Sequence, residues 1–173
     1  MKLSSINTML ALVGGAVSQA TSLNITAISA ANNAARLECW QLTAPPVLGR
    51  GAVNFDLGDF NDAFVGIIPP NTTAGTLNNA AKVQYSLFLS GLAHISTPNS
   101  GLPAHLNEVW ISGGRHGMLI AADLKEVAAK GHITEFPSQD RTIIAQFPVA
   151  GNKAPEHRVL HVGPCTWADL AGL

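Results

Sequence analysis

The chain has 173 residues, with ten Lys and Arg against eleven Asp and Glu, for a formal net charge of −1. Charged residues make up only 12% of it. No Lys/Arg cluster or basic–aromatic stripe breaks that neutrality, so nucleic acid and anionic membrane surfaces are excluded as expected partners.

Residues 1–20 read as a secretory signal peptide. Lys2 precedes the apolar run from Met9 to Val17, and Ser18-Gln19-Ala20 places small residues at both positions that signal peptidase reads. The run is too short to span a bilayer, which takes about 20 apolar residues. No later segment is long and apolar enough either. The expectation is a secreted, extracellular protein cleaved after Ala20. The remainder, residues 21–173, has the size of one domain with one core.

Two sequons follow, Asn24-Ile25-Thr26 and Asn71-Thr72-Thr73, which make Asn24 and Asn71 candidate glycosylation sites on a eukaryotic secretory route. The two cysteines, Cys39 and Cys165, lie near the ends of the mature chain. In an oxidising compartment they permit a single intramolecular disulfide; the alternative is two free thiols.

Short apolar or alternating segments then recur between Gly, Pro and Asn clusters, which is the all-β pattern. The candidate strands are Glu38–Leu42, Gly51–Asp56, Ala63–Ile68, Val83–Ser90, Leu92–Thr97, Glu108–Ser112, His116–Ala122, His132–Phe136, Thr142–Phe147 and Arg158–His161. The stretch Ala30–Ala35 is ambiguous, because alanine favours helix while Asn32-Asn33 favours a turn. A helix is expected after Asp123, with Glu126 completing a capping box and Gly131 ending it. A second helical turn is expected after Thr166, with Asp169 at its third position. Many short strands with one or two short helices indicate a β-sandwich or jelly roll. An immunoglobulin-type sandwich fits less well, since its cysteine pair joins internal strands rather than the two ends of the domain.

Val83-Gln84-Tyr85-Ser86-Leu87-Phe88-Leu89-Ser90-Gly91 and Glu108-Val109-Trp110-Ile111-Ser112-Gly113-Gly114-Arg115-His116 resemble the two signature motifs of the cupin superfamily. The resemblance runs from about Phe64 to Ile120. Phrases around VQYSLFLSG and GRHGMLIAAD are similar to small secreted fungal cupin-like proteins. It implies an all-β, cupin-type double-stranded β-helix, a jelly roll. In that family two histidines and a glutamate of the first motif, with one histidine of the second, bind a divalent metal. Here Gln84 stands at the glutamate position, and the His-x-His pair would fall near Asn78-Asn79-Ala80. Ile111 replaces the proline of the second motif and Ile120 its later asparagine, while His116 keeps the histidine position. One amide and one imidazole do not make a conventional metal site, so no metal and no cofactor is expected.

Strand alternation, phased on the resemblance, predicts a barrel lining of Gln84, Ser86, Phe88, His116, Met118 and Ile120, a few polar groups on an apolar wall. His94, on the strand after Gly91, is a further candidate for the same cavity. His116 is the candidate acid/base residue, set against a buried histidine that simply hydrogen-bonds Gln84 or backbone. His105 reads as a solvated loop residue, His132 as an ordinary strand start, His157 and His161 as a C-terminal strand. Trp110 and Trp167 read as core residues rather than a carbohydrate platform. There is no Gly-x-Ser-x-Gly elbow and no phosphate-cradling loop. Three functional readings follow: a metal-independent isomerase, cyclase or lyase of secondary metabolism acting on a small molecule; a non-catalytic extracellular binder of a small ligand; and a metal-dependent cupin oxidase or decarboxylase with atypical ligands. A homodimer formed through sheet edges is implied by the resemblance alone.

Overall fold

The computed structural model describes residues 22–171; the expected signal peptide lies outside the described residues. The chain opens with a hairpin of β1 (Asn24–Ala31) and β2 (Ala34–Leu42). Asn32 and Asn33 join them with φ of 50° and 61°. A two-residue turn with both centres left-handed matches the right-handed twist of the flanking strands, and asparagine tolerates that conformation better than most residues. The ambiguous Ala30–Ala35 stretch is therefore strand, turn and strand.

The remaining strands are β3 (Val47–Gly49), β4 (Ala52–Asn54), β5 (Phe64–Ile68), β6 (Thr72–Thr73), β7 (Gln84–Ser90), β8 (Leu92–Ser96), β9 (Glu108–Ser112), β10 (Met118–Ala121), β11 (Ile133–Phe136), β12 (Thr142–Pro148) and β13 (His157–Val162). Strands β5 to β12 pair as β5-β12-β7-β10 in one sheet and β6-β11-β8-β9 in the other. That is the eight-strand order of a jelly roll, the architecture of cupins. The first sheet then grows at its β10 edge. Strand β1 joins parallel to β10, β2 pairs with β1, and β13 pairs with β2, giving seven strands. Each of the ten expected strands has a counterpart, although the one expected over His116–Ala122 begins only at Met118; β1, β3 and β6 are additional.

Two apolar clusters hold the layers. Ile28, Leu37, Phe88, Ile95, Leu119 and Phe136 belong to the one between the sheets. Ile25, Trp40, Tyr85 and Ile120 belong to a second, covered by Phe55, Leu57, Phe60, Phe147 and Val149. The segment after β4 thus acts as a third layer over the outer face of the larger sheet. On that face Glu38 is buried, and its carboxylate accepts hydrogen bonds from Arg36 and from Trp40 Nε1 at 2.7 Å. A buried carboxylate needs such partners, because an unpaired charge out of water is strongly unfavourable.

The expected helix after Asp123 does not form. Val127 N and Ala128 N both donate to Leu124 O, which makes a turn, and the Asp123 carboxylate is taken by partners elsewhere in the fold. Among the described residues the one α-helical turn, α1 (Ala104–Asn107), sits in the loop after β8. The turn after Thr166 does form, with Leu170 N donating to Thr166 O and Thr166 N donating to Asp169 Oδ2. No helix among the described residues is long and apolar enough to cross a membrane.

The expected Cys39–Cys165 disulfide is present, with its Cα atoms 4.5 Å apart. It fastens the segment after β13 to the middle of β2. Around it, Cys165 N donates to Thr26 Oγ1 and Asn24 Nδ2 donates to Asp169 O.

Candidate functional site

Between the two sheets lies a cavity of about 330 Å³. Gln84, Ser86 and Phe88 line it from β7, as the alternation along that strand requires. Their antiparallel partners across β10 carry the same face: Leu119 is opposite Ser86 and Ala121 opposite Gln84, and both line the cavity.

His116, Met118 and Ile120 do not join them. Met118 and Ile120 pair with Leu87 and Tyr85, the residues between the cavity-facing ones, and both pack in the outer cluster. His116 is not in a strand at all. It lies in a turn closed by Gly117 N donating to Gly114 O, and the turn is pinned to β7 by Gly114 N to Phe88 O and Phe88 N to Gly117 O. That turn resets the alternation, so counting inward positions from His116 gives the wrong phase for β10. His94 also points elsewhere. Its neighbours Ala93 and Ile95 face the core, whereas His94 stacks on Trp110 with ring centroids 4.2 Å apart and is hydrogen-bonded to Glu135 and Glu108 at 2.9 and 3.1 Å.

The imidazole of the barrel cavity belongs to His132. Its Nδ1 is 2.7 Å from Oδ2 of Asp123, which is fully buried. A carboxylate acceptor there holds the proton on Nδ1 and leaves the Nε2 lone pair free for chemistry. His132 Nε2 makes no hydrogen bond among the described residues. The dyad is locked from behind: Asn79 Nδ2 donates to Asp123 O at 2.9 Å, and Ala80 N donates to Asp123 Oδ1 at 3.4 Å. Backbone hydrogen bonds in both directions tie Asn78 to His132. Gly131 makes this junction fit, because a Cβ there would lie 2.2 Å from Asn78 O.

The same cavity also carries neutral polar groups. Gln146 Nε2 donates to Ser86 Oγ at 3.2 Å, and Gln84 lies beside them on the cavity wall. Among the described residues, no Lys, Arg, Asp or Glu lines the cavity. The positions at which the cupin resemblance would place metal donors, Asn78, Asn79, Ala80 and Gln84, all line it, but they carry amides and a methyl group. His116, the retained donor, is not with them. The barrel residues do not fit the family's metal. Among the described residues, the cluster of three His, Cys, Asp or Glu donors close enough to share an ion is Cys39, His161 and Asp169, and its sulfur is bound in the disulfide.

A second cavity of about 500 Å³ holds His116 and Met118 with Trp110, Trp167 and His161. His116 Nδ1 is buried with no partner, and the ring meets Trp167 edge-on at 4.8 Å. His161 Nε2 is 3.0 Å from Asp169 Oδ2, which raises the imidazole pKa above its usual value despite some desolvation. Burial works to raise the pKa of Asp169, but hydrogen bonds from Thr166 and His161 win and hold it below the usual carboxylate value. Of the two sequon residues, Asn71 is exposed at a left-handed turn position, and Asn24 is half-buried with its side chain bonded to Asp169 O and Gln41.

His132 and Asp123 were hidden in the sequence. One looked like a strand start and the other like a helix cap. Their single local signal is the Gly131-His132 step, which marks a close backbone approach beside a titratable group.

No protein-family model and no curated protein sequence matches the chain. Among solved structures, the capsular polysaccharide assembling protein CapF from Staphylococcus aureus is similar at a TM-score of 0.40 and 15% identity, over 82% of this chain and 34% of that one. The chain thus spans about a third of that protein's length. The assignment to an all-β jelly roll rests on the pairing order of β5 to β12.

Proposed function

We propose that this is a secreted, metal-independent enzyme acting on a small neutral molecule inside the barrel, with His132 as its acid–base group. The observation that carries the reading is His132 on the wall of an interior cavity, with the buried Asp123 carboxylate 2.7 Å behind it. A buried carboxylate behind an imidazole fixes its tautomer and orientation and stabilises the imidazolium formed when Nε2 takes a proton. Gln84, Ser86 and Gln146 offer amide and hydroxyl groups to hold a carbonyl or hydroxyl of the substrate. Nε2 removes a proton at one substrate atom and the imidazolium returns it at another, which is the proton balance of an isomerisation. Return to a leaving group makes the same site a lyase. The acid/base role expected of His116 passes to His132, because only His132 shares a cavity with Gln84 and Ser86. Secretion rests on residues 1–20 and is supported by the disulfide, and glycosylation at Asn71 fits its exposure.

The test is to purify the protein from its source, denature it and identify released small molecules by mass spectrometry. Any compound found is then offered to recombinant protein. Conversion by wild type, loss of at least a hundredfold with His132→Ala or Asp123→Asn, and loss of retention with the cavity-filling Ala121→Phe are expected. Retention without conversion would make the barrel a binding site only. Retention unaffected by Ala121→Phe would refute the barrel as the site.

A further inference from the structure

We propose that the second cavity is a separate binding site for a neutral, gluco-configured saccharide. At about 500 Å³ it is larger than the barrel cavity and lies within the range of roughly 300–1,000 Å³ usual for small-molecule pockets. It is bounded by α1, β9, the turn carrying His116 and the segment after β13. Among the described residues no Lys, Arg, Asp or Glu lines it, and its one paired imidazole, His161, already has Asp169 as partner, so the described lining holds no unpaired charge for an ionic ligand.

Its two largest side chains are both left in water. Trp110 is 57% exposed and Trp167 is 78% exposed. Indole surface gains from burial at about 25 cal/mol per Å², so two exposed tryptophans on one cavity are a surface waiting for contact. Each ring is nevertheless held by an imidazole. His94 stacks on Trp110 at an interplanar angle of 17° and is itself fixed by Glu108 and Glu135. His116 abuts Trp167 at 90°. An aromatic plate with one face supported, as Trp110 is by His94, suits a flat pyranose whose ring hydroxyls are equatorial, because such a sugar presents an unbroken C–H face.

The hydroxyl rim of such a sugar needs neutral hydrogen-bonding groups. An orphaned buried acceptor is less unfavourable than an orphaned N–H, so the buried Nδ1 of His116 is the unprotonated nitrogen. The proton then sits on Nε2, which makes no hydrogen bond among the described residues and is available to a sugar oxygen. Ser112 and Thr166 add hydroxyl groups to the same lining.

The experiment is a titration of the intact protein with cellotetraose, laminaritetraose and chitotetraose to about 10 mM, read by tryptophan fluorescence and calorimetry. At least one probe should perturb the emission saturably. Trp167→Ala and His116→Gln should each weaken that binding tenfold or more, while His132→Ala leaves it unchanged. Trp167 is so exposed that its alanine variant should keep the wild-type melting temperature, which separates loss of binding from loss of fold. Absence of saturable binding by all three probes would overturn the proposal. So would binding that survives Trp167→Ala undiminished, or binding lost with His132→Ala.

Discussion

The hydroxyl of Tyr85 is buried without a hydrogen-bond partner. Desolvation, with the negative charge of Asp56 adding to it, pushes its pKa up to about 12. A buried hydroxyl that has lost water and gained no partner costs about 1–3 kcal/mol. Tyr85→Phe removes that hydroxyl and keeps the ring against Phe60, 5.9 Å away in an edge contact. It should raise the midpoint of chemical denaturation, by up to about 1 kcal/mol of stability after the lost atom contacts are discounted. Separately, His161 and Asp169 set a pH dependence. The imidazole pKa is raised above 6.5 in the fold, so its contribution is complete below that value and fades as pH rises through the higher folded pKa. The carboxylate pKa is lowered below 3.8, so its contribution is present above that value and is lost as pH falls through the lower folded pKa. The pair is strongest in mildly acidic solution. The melting temperature should decline as pH rises from 6 to 8, and Asp169→Asn should flatten that slope. At this scale the sequence shows Gln84, Ser86 and Phe88 well, because they lie on one uninterrupted strand. It hides His132, whose value comes from a carboxylate fixed by contacts with residues 79 and 80. It misdirects at His116, whose glycine-flanked turn breaks the period that places Leu119 and Ala121.

Elements in this fold are positioned by close backbone approaches as much as by side chains. A Cβ on Gly113 would lie 2.4 Å from Ser90 Cα, and one on Gly131 would meet Asn78 O at 2.2 Å. Gly113→Ala should therefore separate the turn of residues 113–117 from β7 and cost about 1–3 kcal/mol. Gly131→Ala should cost a similar amount and also move His132, so activity or ligand retention should fall more than the loss of stability explains. Denaturation curves and turnover measured on the same samples would distinguish these outcomes. The strands were legible because alternation and breaker residues act locally. The helix expected after Asp123 was not, because two distant partners, the Ala80 amide and the His132 ring, compete for the cap and win. Strand β1 was masked by its alanines. It becomes a strand through the Asn32-Asn33 turn and through pairing on both sides, with β2 and with β10.

The whole molecule is closed by a covalent link between its ends. The disulfide spans 126 residues, and closing a loop of that length stabilises by about 5 kcal/mol in the chain-entropy model. Reduction, or a Cys39→Ala/Cys165→Ala double variant, should lower the denaturation midpoint accordingly, with the largest early loss in hydrogen-exchange protection at β13 and residues 163–171. The jelly roll itself is complete without that link, since β5 to β12 supply both sheets. The strand order, however, sets a sequence in time. Strand β1 leaves the ribosome first, yet its second neighbour, β10, follows some ninety residues later, as the pairing of Thr26 with Leu119 requires. During synthesis the first hairpin has an open, apolar edge with no partner in the chain made so far. Such an edge invites pairing with another chain. Biogenesis therefore carries an interval of vulnerability that ends only when residues 118–121 arrive, and a translocation pathway that keeps nascent chains apart would protect this architecture most.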